Sequence, residues 1–353
     1  MKKKLLVLLM ATMFFMFSCG KSDNEKVEPA STDNTTSNEQ NAEVKDWGNG
    51  FLAGQTLNFI VPGTSGGGSD LAIRHMANFM QKELGLPIAV TNYSSNTIGH
   101  QTLANARNDG TNIMLATAAL NIQYITGLVT LNPLEDLELV AALQDNGFSA
   151  IAVPADAPYD TFAEFVEYAK ENPGTVNAGQ PNSGNNQFQF GLIQKEMAIK
   201  LNSVECSTES DRLTYLAGGF IDVGFIGVQN ALEYEKVGRL KVIGTIAGNG
   251  KIITDLNPDL PDNFKTLQEQ GFDELYWSVH HYIYGPKGMD KDQVKAMNET
   301  FKKIIEDPQV TEGITALGQL PEWCNVEDSY TVRDNEYNRL AEIAKELGIL
   351  VTQ

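Results

Sequence analysis

Cysteine and positive charge are both scarce in this 353-residue chain, and each shortage removes a class of function. The three cysteines, Cys19, Cys206 and Cys324, form no CxxC pair and no Cys/His cluster at metal-ligand spacing. A disulfide framework and a metal site are therefore not expected, and a Cys206–Cys324 bridge is the pairing left open. Lysine and arginine number 26 against 45 aspartates and glutamates, a net charge of −19. That balance argues against nucleic acid, which rewards a basic surface, and against docking of the folded part on anionic lipid. The four histidines, His75, His100, His280 and His281, show no HExxH spacing. There is no GxSxG elbow, no GxxxxGK[ST] loop and no GxGxxG fingerprint. With no base–nucleophile pair to name, the expectation is a protein without catalytic residues, metal or cofactor, and not an enzyme.

Long apolar runs are missing after the first residues. Lys2, Lys3 and Lys4 precede an apolar stretch from Leu5 to Phe17, which is too short to cross hydrocarbon that needs about 20 residues. It reads as a signal peptide. It ends in Met16-Phe17-Ser18-Cys19-Gly20, which resembles a bacterial lipobox, although Phe17 and Met16 depart from the usual residues. Residues 1–18 are thus expected to be removed and Cys19 to carry the lipid. Residues 19–46 follow as a flexible tether, poor in large apolar side chains. The protein is expected to be exported and membrane-anchored, in the periplasm or on the surface of a bacterium.

From Trp47 the pattern becomes α/β. An apolar strand over Thr56–Pro62 runs into the loop Gly63-Thr64-Ser65-Gly66-Gly67-Gly68-Ser69-Asp70. A helix follows, with Leu71, Ile73, Met76, Ala77, Met80 and Leu84 at helical spacing and Gly85 at its end. Further strands are expected over Ile88–Asn92, Asn112–Ala116, Leu139–Leu143, Ala150–Val153, Val176–Gly179, Ile221–Ile226 and Lys241–Thr245. Tyr276–Gly285 reads as a long aromatic strand crossing back between domains. Helices are expected over Leu103–Asn108, Tyr159–Glu171, Gln187–Lys200, Lys291–Glu306 and Tyr330–Leu347, with Glu164 placed for a capping box. Strand–helix–strand repetition points to open, mostly parallel sheets. Two domains are expected, 47–149 with 276–353, and 150–275.

The strand–glycine loop–helix is the strongest local signal. A helix start exposes unpaired N–H groups and a partial positive charge, and glycines let an anion approach the backbone. Ser69 or Asp70 is expected to cap the helix. A second polar loop, Gln180-Pro181-Asn182-Ser183-Gly184-Asn185-Asn186, sits between a strand and a helix start in the other half. Open α/β sheets bind ligands at the carboxyl ends of their strands.

These residues resemble the substrate-binding proteins of tripartite tricarboxylate transporters. The resemblance runs from about Thr56 to Leu350. It is carried by Ile60-Val61-Pro62 with Gly66-Gly67-Gly68-Ser69-Asp70, Ala72 and Arg74, by Asp109-Gly110, by Gly218-Gly219 with Ile221-Asp222, and by Gly285-Pro286-Lys287-Gly288. It implies a two-domain, Venus-flytrap periplasmic-binding fold of type II. It also implies a monomer that delivers a small carboxylate-bearing solute to separate membrane transporter subunits. Carried over by position, the first carboxylate site takes in Gly63, Thr64, Ser65, Gly66, Gly67, Ser69 and Asp70. The second contact loop takes in Gln180, Asn182, Ser183, Asn185 and Asn186, and the stretch Thr208 to Asp211 lines the second domain's side. Asn96, Thr117 and Gly227 complete the expected ligand set. The departures are at Tyr93–Gly99, Cys206-Ser207-Thr208, Asn185-Asn186 and Ile226-Gly227, where the far end of the pocket turns towards amides. They suggest a monocarboxylate, an amino acid or an amide-bearing acid rather than citrate. A sensing receptor of the same fold, or an enzyme acting on a small acid, are the alternatives.

Overall fold

The computed structural model describes residues 51–351 apart from 53 and 146. The expected signal segment, Cys19 and the whole tether region 19–46 lie outside the described residues. The chain opens with β1 (Leu57–Pro62), α1 (Gly68–Phe79), β2 (Ile88–Tyr93), α2 (Asn96–Ala104), β3 (Asn112–Thr117), α3 (Ala119–Ile125) and β4 (Leu137–Asp145). It continues with β5 (Ser149–Pro154), α4 (Phe162–Glu171), β6 (Asn177–Gln180), α5 (Asn185–Met197), β7 (Asn202–Glu205) and α6 (Glu209–Ala217). Then come β8 (Val223–Gly227), α7 (Val228–Lys236), β9 (Leu240–Ile246) and α8 (Ile253–Leu256). It returns through β10 (His280–Pro286), α9 (Lys291–Ile305), α10 (Pro308–Thr315), β11 (Leu320–Pro321) and α11 (Val326–Glu346).

Two sheets result. The first has the order β11-β4-β10-β3-β1-β2 and the second β7-β6-β8-β5-β9. β1 runs parallel to β2 and β3, and β6 parallel to β7 and β8. The sheets are nevertheless mixed: β10 is antiparallel to β3 and β4, and β5 to β8 and β9. A strand fed by a helical crossover returns parallel to its predecessor. β10 and β5 instead arrive from the other sheet, so they start at the edge where their neighbours end. The registers His281 with Thr117 and Ser149 with Gly227 show this. β4 ends at Asp145 and β5 begins at Ser149. Four Cα steps of about 3.8 Å hold those strand ends within about 15 Å. The carboxyl edges of the two sheets are thereby kept next to each other.

The helix faces follow the sequence. Ala72, Ile73, Met76, Ala77 and Met80 are buried from α1, and Gly85 ends that helical run at φ 65°. Thr161 and Glu164 form the anticipated capping box: the Thr161 hydroxyl accepts the Glu164 N–H at 3.2 Å, and the Glu164 carboxylate accepts the Thr161 N–H at 3.2 Å. Both faces of each sheet are covered by apolar clusters. One cluster unites Ile122 and Ile125 of α3, Phe188 and Ile193 of α5, and Leu340 and Ile343 of α11, joining the two halves of the chain.

Two expectations need correction. The helix placed over Leu103–Asn108 starts earlier, at Asn96, and ends at Ala104. Its buried face is Gly99, His100 and Leu103, of which only the leucine registers as apolar in a sequence. Residues 276–279 are not strand, and β10 begins at His280. The pairing left open is settled: Cys206 and Cys324 are free thiols.

Candidate functional site

The topology gathers the expected residues at two strand edges. β3, β1 and β2 are parallel neighbours. The loop 63–70, Asn96 and Thr117 therefore share the carboxyl edge of the first sheet. β7, β6 and β8 are likewise parallel, so the loop 180–186, Thr208 and Gly227 share that of the second.

In the first loop, Gly63 and Gly66 take φ values of 150° and 84°, conformations that favour glycine. The Gly63 N–H donates to Tyr93 O at 2.9 Å and that of Gly67 to Thr64 O at 3.2 Å. The Gly66 N–H donates to Asp70 Oδ2 at 2.8 Å. The backbone N–H groups of Thr64, Ser65, Gly68 and Ser69 have no acceptor among the described residues. Neither Ser69 nor Asp70 caps α1, because the cap position is Gly67. Asp70 lies one turn inside, 1% exposed, and folds back on the loop while Arg74 Nε reaches both its oxygens at 3.0 Å. Burial pushes the Asp70 carboxyl up, but the bonds from Arg74 and the Gly66 N–H outweigh it and hold the group below its ordinary value. The expected ligand contact at Asp70 is thus a carboxylate already neutralised by Arg74, which shapes the loop from within.

Ser69 Oγ lies 3.1 Å from His281 Nε2. His281 is 1% exposed, and burial, with His280 beside it, lowers its pKa to about 3. It is a neutral imidazole that fixes the Ser69 rotamer. Thr117 Oγ1 accepts the Ala119 N–H at 3.3 Å at the start of α3. Asn96 opens α2 behind the cap residue Ser95.

On the second edge, most expected side chains are used internally. Gln180 is buried and donates along the sheet to Ser203 Oγ at 2.8 Å. The N–H of Asn182 donates to Glu205 Oε2 at 3.0 Å. Ser183 turns the corner at φ 53°, its N–H on Gln187 Oε1 at 2.7 Å. Asn185 Oδ1 accepts from Trp277 Nε1 at 2.7 Å, and Asn186 Nδ2 donates to Gln189 Oε1 at 2.8 Å. Thr208 caps α6, its hydroxyl 2.7 Å from Asp211 Oδ2. The Gly227 N–H donates to Glu209 Oε2 at 3.2 Å.

A cavity of about 650 Å³ lies against this edge and takes in the turn at Thr315–Gln319, which follows α10. Asn185, Asn186 and Gly227 line it together with Ser149, Glu209, Arg212 and Gln319. The loop 63–70, Asn96, Thr117, Gln180, Asn182, Ser183 and Thr208 are not on its wall. Gln319 connects the cavity to the first loop, since a Cβ on Gly68 would sit 3.0 Å from Gln319 Nε2. Arg212 and Gln319 escaped the sequence reading. The available signal for Arg212 was an arginine next to Leu213 on the buried face of α6.

Comparison with known proteins places this geometry in context. A family model described as the tripartite tricarboxylate transporter family receptor matches residues 72–349. A protein of Agrobacterium vitis, described as the UPF0065 protein in the TAR-I ttuE-ttuC' intergenic region, is 27% identical over 306 residues, covering 83% of this chain and 84% of that protein. MatC of Rhodopseudomonas palustris, solved with bound malate, superposes with a TM-score of 0.62 at 20% identity, covering 82% of this chain and 98% of MatC. Rpa4515 of the same organism, solved with adipate, gives 0.67 at 18% identity, covering 84% and 98%. At such identities the structural likeness establishes the fold, a two-domain periplasmic-binding architecture.

Proposed function

The chain belongs to the tripartite tricarboxylate transporter receptor family, and from that premise we propose that it captures a small carboxylate-bearing solute between its two sheets and hands it to membrane transporter subunits. The observation that carries the reading is the run of backbone N–H groups at Thr64, Ser65, Gly68 and Ser69 without an acceptor among the described residues, at the start of a helix. Such donors, with the positive end of the helix behind them, hold a carboxylate without an arginine. Gly63 and Gly66 supply the conformations, and Asp70 and His281 hold the loop in place. Malate in MatC and adipate in Rpa4515 are small acids of the class proposed here. The protein acts as a binding protein rather than an enzyme, a reading supported by its membership of a receptor family. It works as a monomer. The residues before Trp47 export it and anchor it by a lipid on Cys19, leaving the folded part tethered near its transporter.

Calorimetric titration of the solute-stripped protein with malate, adipate, citrate and free amino acids tests the reading. At least one small acid binds, and Gly66→Ala weakens that binding at least tenfold. Absence of binding by every acid, or full affinity in the Gly66 variant, overturns it. Replacement of Cys19 by serine shifts the protein from the membrane to the soluble fraction of its host; retention in the membrane counts against the anchor.

A further inference from the structure

The cavity beside α6 and β8 carries charge of both signs on one wall. Among the described residues lining it, only Glu209 and Arg212 are charged. Arg212 is 7% exposed. Its Nε donates to Phe225 O at 2.8 Å and its Nη1 to Cys206 O at 3.3 Å, and no carboxylate lies within ion-pair distance of it among the described residues. A guanidinium has five N–H donors, so most of this one's donor capacity is unused. Burial lowers its pKa although Glu209 pulls the other way, yet an arginine remains charged at neutral pH. A buried cation with no anion in direct contact is costly and is ordinarily paired. Glu209, three residues earlier on the same helix, accepts the Gly227 N–H at 3.2 Å on one oxygen and Asn230 Nδ2 at 2.6 Å on the other. Each oxygen keeps a lone pair for a further donor. Carbonyls and amides thus hold the two opposite charges apart, both facing the same space.

A plain di- or tricarboxylate that satisfied Arg212 would bring a further acid group towards Glu209, where like charges repel. A solute whose acid group is flanked by a cationic nitrogen meets both residues. We propose that Arg212 and Glu209 are the specificity-determining pair of this receptor, Arg212 taking an acid group of the solute and Glu209 the neighbouring ammonium, so that the solute is a small amino acid whose second acid group is left to the loop at Thr64–Ser69. This rests on the reading of the cleft as a solute site and names the solute class.

Matched probes decide it. The stripped, full-length protein is titrated with L-glutamate against glutarate, and with L-aspartate against succinate, each pair differing only in the ammonium group. In at least one pair the amino acid binds tenfold or more tightly than its partner. Glu209→Gln, which keeps an acceptor for the Gly227 N–H, brings that pair within about threefold. Arg212→Met weakens the amino acid at least tenfold; if that variant fails to fold, Glu209→Gln alone is decisive. A residue that merely tied α6 to β8 would alter thermal stability without changing the preference for the ammonium. The inference is overturned if neither pair binds, if the plain acid binds as tightly as the amino acid in both pairs, or if Glu209→Gln leaves the preference intact. Plain acids binding well, with loss on Gly66→Ala, would sink the amino-acid inference and leave the functional reading standing. No acid binding at all would sink both.

Discussion

A few residues control the chemistry of the first strand edge. Gly66 combines φ 84° with an N–H bonded to Asp70. Alanine at that conformation carries a backbone penalty of roughly 1–2 kcal/mol. Gly66→Ala should therefore lower thermal stability as well as affinity, which differential scanning calorimetry reads directly. His100 and His281 supply a pH signature. Burial lowers their pKa values to about 4 and about 3, against an ordinary value of 6.5. As pH falls below 6.5 the unfolded chain takes up protons that the folded chain refuses. The stability these neutral rings contribute is complete above 6.5 and declines towards 4, by about 1.4 kcal/mol per pH unit for each ring. Denaturant midpoints measured between pH 7 and 4.5 should fall on this account, with a shallower slope in His281→Gln. An unchanged slope in that variant would refute the assignment.

At the scale of elements, the approach of α5 to α11 depends on a missing side chain. A Cβ on Gly191 would lie 2.8 Å from Ile343 Cγ2 and 2.9 Å from Leu347 Cδ1. Gly191→Val overpacks this crossing and should cost roughly 1–3 kcal/mol, visible as a lowered urea midpoint. The secondary structure itself was legible where a pattern was strong. The α1 face, the Thr161–Glu164 capping box and the Asp109-Gly110 turn follow directly from residue types. The helix α2 was misplaced because glycine and histidine make up much of its buried face. Short elements such as α3, α10 and β7 carry too few periodic residues to stand out, and their stability comes from the sheets and helices they pack against.

Across the whole molecule, two crossings join the sheets, from β4 to β5 and from β9 to β10. Lobes linked in this way close around a ligand by hinge motion. Addition of a bound solute should reduce the radius of gyration measured by small-angle scattering, and an identical scattering profile with and without a saturating ligand would argue against closure. The three-element cluster of α3, α5 and α11 marks where such motion is resisted, since its apolar side chains are shared by both halves.

The amino-acid order alone determined the α/β class, the glycine loop with its open N–H groups, and the membership that the family match establishes. These are local properties: periodicity, φ freedom and helix-end polarity are set within a dozen residues. It misplaces the cap of α1, which is Gly67 rather than Ser69 or Asp70, and it does not show that Thr208 also caps α6 or that Asp70 pairs with Arg74. Arg212 is not legible because its lack of an ion-pair partner among the described residues is a fact about distances between α6 and its neighbours, not about spacing along the chain. Only the packed fold decides which polar groups are already satisfied and which are left to meet a solute.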